Sequence, residues 1–158
     1  MDQPAQFAEL RGFLAAFEWV NSKTDHGYTF TLDAKPDSDS REQLARDHLR
    51  IWEPTDLRLS SLTDPRRVIR ESTLKWLRRY ISDVPPYCMK PNATFSLACD
   101  AFDDEFATSF MERLECAGSI TQGYSIEFRT ESFYECSWDD YLVIAGDWAV
   151  FLHFGVSD

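Results

Sequence analysis

The segment Trp148-Ala149-Val150-Phe151-Leu152-His153-Phe154 carries apolar side chains at both odd and even positions. Successive residues of a strand point to opposite faces, so a strand of this composition is covered on both sides, by helices or by its place inside a sheet. A chain that holds such a strand must supply apolar material for two layers. The pattern predicts a central strand.

Other segments supply that material. Phe7, Leu10, Phe13, Leu14, Phe17 and Val20 recur at three and four residues, the spacing of one face of a helix opened near Pro4. Tyr28-Thr29-Phe30-Thr31-Leu32 alternates apolar and polar after the turn signal Asp25-His26-Gly27, which predicts a half-buried strand followed by a loop from Asp33 to Ser40. Ser40, with Gln43 three residues on, reads as a capping box opening a short helix through Leu44, His48 and Leu49 that stops before Pro54. Asp64-Pro65 opens a longer helix, because Asp caps free N–H groups and Pro at the first helical position loses no hydrogen bond. Val68 or Ile69, with Trp76, Leu77, Tyr80 and Ile81, forms its buried stripe, and Pro85-Pro86 ends it.

Phe95, Leu97 and Cys99 alternate with Ser96 and Ala98, which predicts a second strand. The period then changes: Phe102, Phe106, Phe110 and Leu114 are spaced by four, giving a helix from Asp103 to Cys116 stopped by Gly118. Tyr124, Ile126 and Phe128 alternate with Ser125, Glu127 and Arg129. Tyr141 to Ile144 and Trp148 to Phe154 complete the sheet, joined by a tight turn at Gly146-Asp147. Helices early and hairpins late predict one α+β domain spanning residues 1–158, a mostly antiparallel sheet packed against three to four helices.

Charge is distributed unevenly. Met1 to Cys99 holds 14 acidic and 14 basic residues, whereas Asp100 to Asp158 holds 13 acids against Arg113 and Arg129 alone. The net charge of -11 therefore belongs to the last third. Like charges crowded into one segment repel one another, and such segments suit a positively charged partner. Helix-dipole stabilisation accounts for Asp103, Asp104 and Glu105 at the start of a predicted helix, but not for Glu112, nor for Glu115 near its C-terminal end. Glu131 to Asp140 interleaves four acids with Phe133, Tyr134 and Trp138, a mixture of charge and aromatic anchors typical of interfaces. The expected partner-binding residues are Glu112, Glu115, Glu131, Tyr134, Glu135, Trp138, Asp139, Asp140 and Asp147. Arg66, Arg67, Arg70, Lys75, Arg78 and Arg79 concentrate positive charge on the Asp64-Pro65 helix, where it is solvated or neutralises acids within the fold. An isoelectric point near 4.6 opposes direct binding to nucleic acid.

Motifs with a chemical mechanism are missing. The six glycines are isolated, so no phosphate-cradling loop is present, and neither a G-x-S-x-G elbow nor an H-E-x-x-H helix occurs. Cys88, Cys99, Cys116 and Cys136 form no C-x-x-C pair and read as buried free thiols. His26 and His48 read as surface residues. His153, between Leu152 and Phe154, reads either as a satisfied core histidine or as a general base. No catalytic, cofactor-binding or metal-binding residue is assigned, and the expectation is a non-enzyme. Met1 to Pro4 resembles no signal peptide, and no stretch reaches the roughly 18 apolar residues of a membrane span, so a cytoplasmic location is expected.

Trp138-Asp139-Asp140-Tyr141-Leu142-Val143-Ile144 followed by Gly146-Asp147-Trp148 through Phe154 resembles the closing hairpin of small immunity proteins that accompany bacterial polymorphic toxins. The resemblance implies a basic toxin domain, such as a nuclease, as partner, with carboxylates taking the place of phosphate in its site. Complementary charge also speeds encounter, to about 10⁸ to 10⁹ M⁻¹s⁻¹ in well-steered pairs. The alternatives are a DNA-mimic or adaptor protein, predicted to have the same surface, and a metal-dependent hydrolase using Glu135, Asp139 and Asp140 as oxygen ligands.

Overall fold

Trp148–Ser157 is a strand held between two others, which is what its two apolar faces require. The computed structural model of the chain describes residues 3–21, 27–38, 40–82 and 93–157. Among these residues one antiparallel sheet is formed by β1 (Gly27–Pro36), β2 (Thr55–Ser61), β3 (Ile120–Arg129), β4 (Ser137–Ala145) and β5 (Trp148–Ser157). The order across the sheet is β1-β5-β4-β3-β2. β4 therefore takes the middle place, and β5 is interior beside it.

Helices α1 (Gln3–Asn21), α3 (Pro65–Ser82) and α4 (Ala93–Ala117) cover one face, and α2 (Arg41–His48) covers part of the other, giving an α+β fold. The alternation of β5 assigns its residues to the two layers. Val150, Leu152 and Phe154 join Phe30, Leu10, Trp76 and Phe110 in the larger core under the three helices. Ala149 and Phe151 join Leu142, Ile144, Ile126 and Leu49 in a smaller core under α2. Each fully buried Leu or Phe contributes about 1.5–3 kcal/mol.

Local chemistry sets the element ends. Ser40 accepts a hydrogen bond from the Gln43 N–H at 3.3 Å, and Asp64 Oδ1 accepts one from the Arg67 N–H at 3.1 Å, so both N-caps form, but the Gln43 side chain donates to Asp47 at 2.8 Å instead of closing the expected capping box. Gly146 has φ +60 while Asp147 stays at negative φ, as in a type II′ turn, and Ala145 pairs with Trp148 across it. Gly118 follows α4 for a different reason than a left-handed cap: a Cβ there would lie 2.4 Å from the Ala145 carbonyl oxygen. The helix end is thus pressed against the β4–β5 turn, where Trp148 Nε1 also donates to Gln3 Oε1 at 2.8 Å.

Several expectations are corrected: β1 runs on through Pro36, so the stretch from Asp33 is strand rather than loop. Phe95 to Cys99 is not a strand but part of the first two turns of α4, which opens at Ala93. The alternation there is only five residues long, no Gly or Pro separates it from the four-residue spacing that follows, and the intervening Ser96 and Ala98 are small enough for a helix. Asp103, Asp104 and Glu105 therefore sit in the helix interior and not at its positive end. β2 was not expected, because Leu57 and Leu59 are its whole apolar signal. It is an edge strand with a bulge at Asp56, φ 51, a feature that blunts unpaired edges. Pro85-Pro86, Cys88 and the turn at Asp25-His26 lie outside the described residues. No helix among those described is long and apolar enough to cross a membrane.

β3 and β4 pair only as far as Ile126 with Asp140. Beyond that point Glu127 and Arg129 pair with β2, whereas Ser137 to Asp139 pair with β5, so the middle of the sheet splays into a fork. The connection 130–136 leaves from this fork and folds over the smaller core.

Candidate functional site

Asp139 and Asp140, adjacent on β4, point to opposite faces of the sheet. Asp139 Oδ2 accepts hydrogen bonds from Lys75 Nζ at 2.6 Å, Trp76 Nε1 at 2.8 Å and Ser72 Oγ at 3.3 Å, all on α3. It anchors that helix to the sheet. Asp140 is buried, 6% exposed, on the other face.

The register places Thr31, His153 and Asp140 in one row across β1, β5 and β4. His153 Nδ1 lies 2.7 Å from Asp140 Oδ1, and the Tyr134 hydroxyl donates to both Asp140 oxygens, at 3.2 and 3.0 Å. The Tyr134 ring is held edge-on by Trp52, Phe128 and Trp138 at centroid distances of 5.0, 4.9 and 5.2 Å. Burial, and then the Asp140 charge, push its phenol well above the ordinary value, so it stays a neutral donor. Glu135 follows on the same connection. Its Oε1 is 3.7 Å from His153 Nε2, and its Oε2 is buried with no hydrogen-bond partner.

Room for this arrangement comes from Gly155. A Cβ at that position would meet His153 Nε2 at 2.6 Å and the Glu135 carboxyl carbon at 3.0 Å. The glycine lets the Glu135 carboxylate lie against β5 beside the imidazole.

Beside the network is an open cleft of about 380 Å³. It is lined by Thr29 and Thr31 on β1, by Tyr134, Glu135 and His153, and by His48 at the end of α2, Leu49, and Ile51 and Trp52 of the 3-10 turn Arg50–Trp52. His48 is half-buried rather than free at the surface: it stacks on Phe151 at 4.1 Å and 10°, and burial lowers its pKa despite Asp33 nearby. Ile51 and Phe133, 75% and 66% exposed, stand at the cleft rim and on the neighbouring connection.

The expected partner-binding residues therefore fall into separate places. Tyr134, Glu135, Trp138 and Asp140 come together at the cleft end, with exposed Glu131 on the same connection. Asp139 faces α3, and Glu115 is paired with Arg66 at 2.6 Å. Glu112 is exposed on α4, and Asp147 is exposed at the β4–β5 turn, at the far end of β4 from Glu131. The basic face of α3 does neutralise acids within the fold, through Arg66–Glu115, Arg70–Asp104 at 2.5 Å and Lys75–Asp139. Cys116 and Cys136 are exposed rather than buried.

Sequence reasoning weighed His153 but missed its partners and the contributions of Thr29, Thr31 and Trp52. The equal spacing of Thr29 and Thr31 on the polar side of β1 was the available signal. Among the described residues no group of three His, Cys, Asp or Glu side chains is placed to hold a metal ion. Compared with known proteins, the chain matches no family model, no curated protein and no solved structure.

Proposed function

We propose that this chain is an acidic protein-binding inhibitor, the immunity partner of a basic toxin domain, and that it binds through the end of the sheet where the 130–136 connection covers the smaller core. One observation carries the reading. Among the described residues, the two exposed large apolar side chains, Ile51 and Phe133, stand at the same end as a buried carboxylate oxygen without a hydrogen bond. Exposed apolar anchors beside a negative cleft suit a protein partner with cationic side chains. Glu131, also exposed there, supplies a charged rim.

The toxin assignment is supported by the hairpin resemblance and the acidic last third of the chain. A long DNA-like stripe fits less well, because Glu131 and Asp147 are separated by the length of β4, nine residues or about 30 Å.

The test is capture of the product of the neighbouring gene by the tagged protein at low and high salt. Support requires a basic protein that is toxic when expressed alone, harmless when co-expressed, and released by salt or by Phe133→Asp. Asp147→Lys, at the other end of β4, leaves capture intact. Failure to capture, or capture indifferent to both salt and Phe133→Asp, overturns the proposal.

A further inference from the structure

We infer that the cleft is a receptor for a guanidinium group, presented as an arginine side chain of the partner. This rests on the protein-binding reading above and gives its contact a chemistry. Glu135 is the reason. Its side chain is 9% exposed, Oε2 has no partner, and Oε1 is 3.7 Å from His153 Nε2, too far for a hydrogen bond. A buried carboxylate without donors is destabilising, so donors delivered by a ligand would recover what the unbound fold forgoes.

The charge count gives the sign of that ligand. Two carboxyl groups, Asp140 and Glu135, share a single imidazole, and the Tyr134 hydroxyl stays neutral, so acidic groups outnumber basic ones in the cluster. The walls select among cations. The aromatic side chains Trp52 and Tyr134 line the cleft together with Thr29 and Thr31, whose hydroxyl oxygens can accept hydrogen bonds. A guanidinium is planar, weakly hydrated and carries five donors in a fork, whereas an ammonium is a compact, strongly hydrated point charge. Stacking on an aromatic wall while donating to a carboxylate and a hydroxyl therefore suits arginine over lysine.

The experiment titrates the full chain with N-acetyl-arginine methylamide and, in parallel, its lysine and citrulline counterparts, following ¹H–¹⁵N chemical shifts and the His153 ring protons. The expected result is saturable binding of the arginine compound, with shifts centred on the Trp52 indole, Tyr134, Glu135 and His153. The lysine compound binds at least about tenfold more weakly and the neutral citrulline compound does not saturate. Glu135→Gln weakens arginine binding about 10- to 100-fold, the loss expected for charge-assisted hydrogen bonds.

A second readout keeps folding separate from binding. Removing an unpaired buried charge should raise the Tm of Glu135→Gln by about 2 °C or more. If that variant is instead less stable, Glu135 is a structural partner of His153 and the inference falls. It falls equally if the arginine compound does not saturate, or if citrulline matches it, even where Phe133-dependent capture of a toxin persists. Loss of that capture with arginine binding intact overturns the partner reading instead.

Discussion

Replacing Asp139 tests whether one carboxylate fastens α3 to the sheet. Three donors converge on its Oδ2, and their worth differs. Lys75 is half exposed, and a surface pair of that kind contributes about 0–1 kcal/mol. Ser72 at 3.3 Å adds a bond worth about 0.5–1 kcal/mol. The Trp76 ring is 1% exposed, so its indole N–H has no water to turn to, and a hydrogen bond to a charged acceptor is worth about 1.5–3 kcal/mol. Asp139→Ala should therefore destabilise by about 2–5 kcal/mol, most of it from the lost bond to the indole. Asp139→Asn keeps an oxygen for Trp76 and should cost only about 1 kcal/mol, and Lys75→Ala less than that. Equilibrium urea unfolding followed by circular dichroism measures all three, with an unchanged m-value as the condition for comparing midpoints. A loss below about 0.5 kcal/mol in Asp139→Ala, or equal losses in Asp139→Ala and Lys75→Ala, would refute the reasoning.

Two glycines should respond oppositely to alanine in thermal melts. Gly12 is exposed on α1 with nothing within 4 Å of a Cβ, so Gly12→Ala should stabilise by about 0.5–1 kcal/mol, whereas Gly118→Ala, driven into the Ala145 carbonyl, should cost about 1–3 kcal/mol. Changes of the same sign at both positions would contradict the packing at the α4 end. Burial lowers the His48 pKa below its unfolded value of 6.5, so as pH falls the unfolded chain takes up that proton first. The His48 contribution is therefore complete above pH 6.5 and is lost as pH falls from there through the folded-state value. His48→Phe keeps a ring on Phe151 and should flatten that part of the urea-midpoint profile; an unchanged slope would mean the imidazole is not desolvated.

Where a segment's chemistry was local, its structure was legible. Ser40 and Asp64 cap helices with their own side chains, and Gly146 makes its turn through its own backbone, so three or four residues of sequence suffice. β5 was legible because its requirement for two covers is written in consecutive residues. Phe95 to Cys99 misled because a short alternation of apolar and small residues fits either period, and only its continuity with the Phe102 to Leu114 spacing decides for helix. The site was half legible. Tyr134, Glu135, Trp138 and Asp140 stood out by type and proximity, but which face of β4 each aspartate takes depends on register. That Asp139 serves α3 while Asp140 serves His153 follows from strand pairing over long sequence separations, which no local pattern carries. Thr29, Trp52 and Glu135 likewise meet only because β1, the 3-10 turn and the connection converge.

The fork between β3 and β4 has a consequence for how such a chain can diversify. Register in the β4–β5 hairpin is locked by a two-residue turn, where an added residue would exchange the two faces of β5. At the fork no ladder joins the strands: Thr130 is tied to the Trp52 carbonyl, the Cys136 N–H to the Val156 carbonyl, and Glu131 to Phe133 between them are exposed. Residues can be exchanged or inserted at that tip without shifting a strand pair, so surface specificity can drift there while the polar row beneath stays in place.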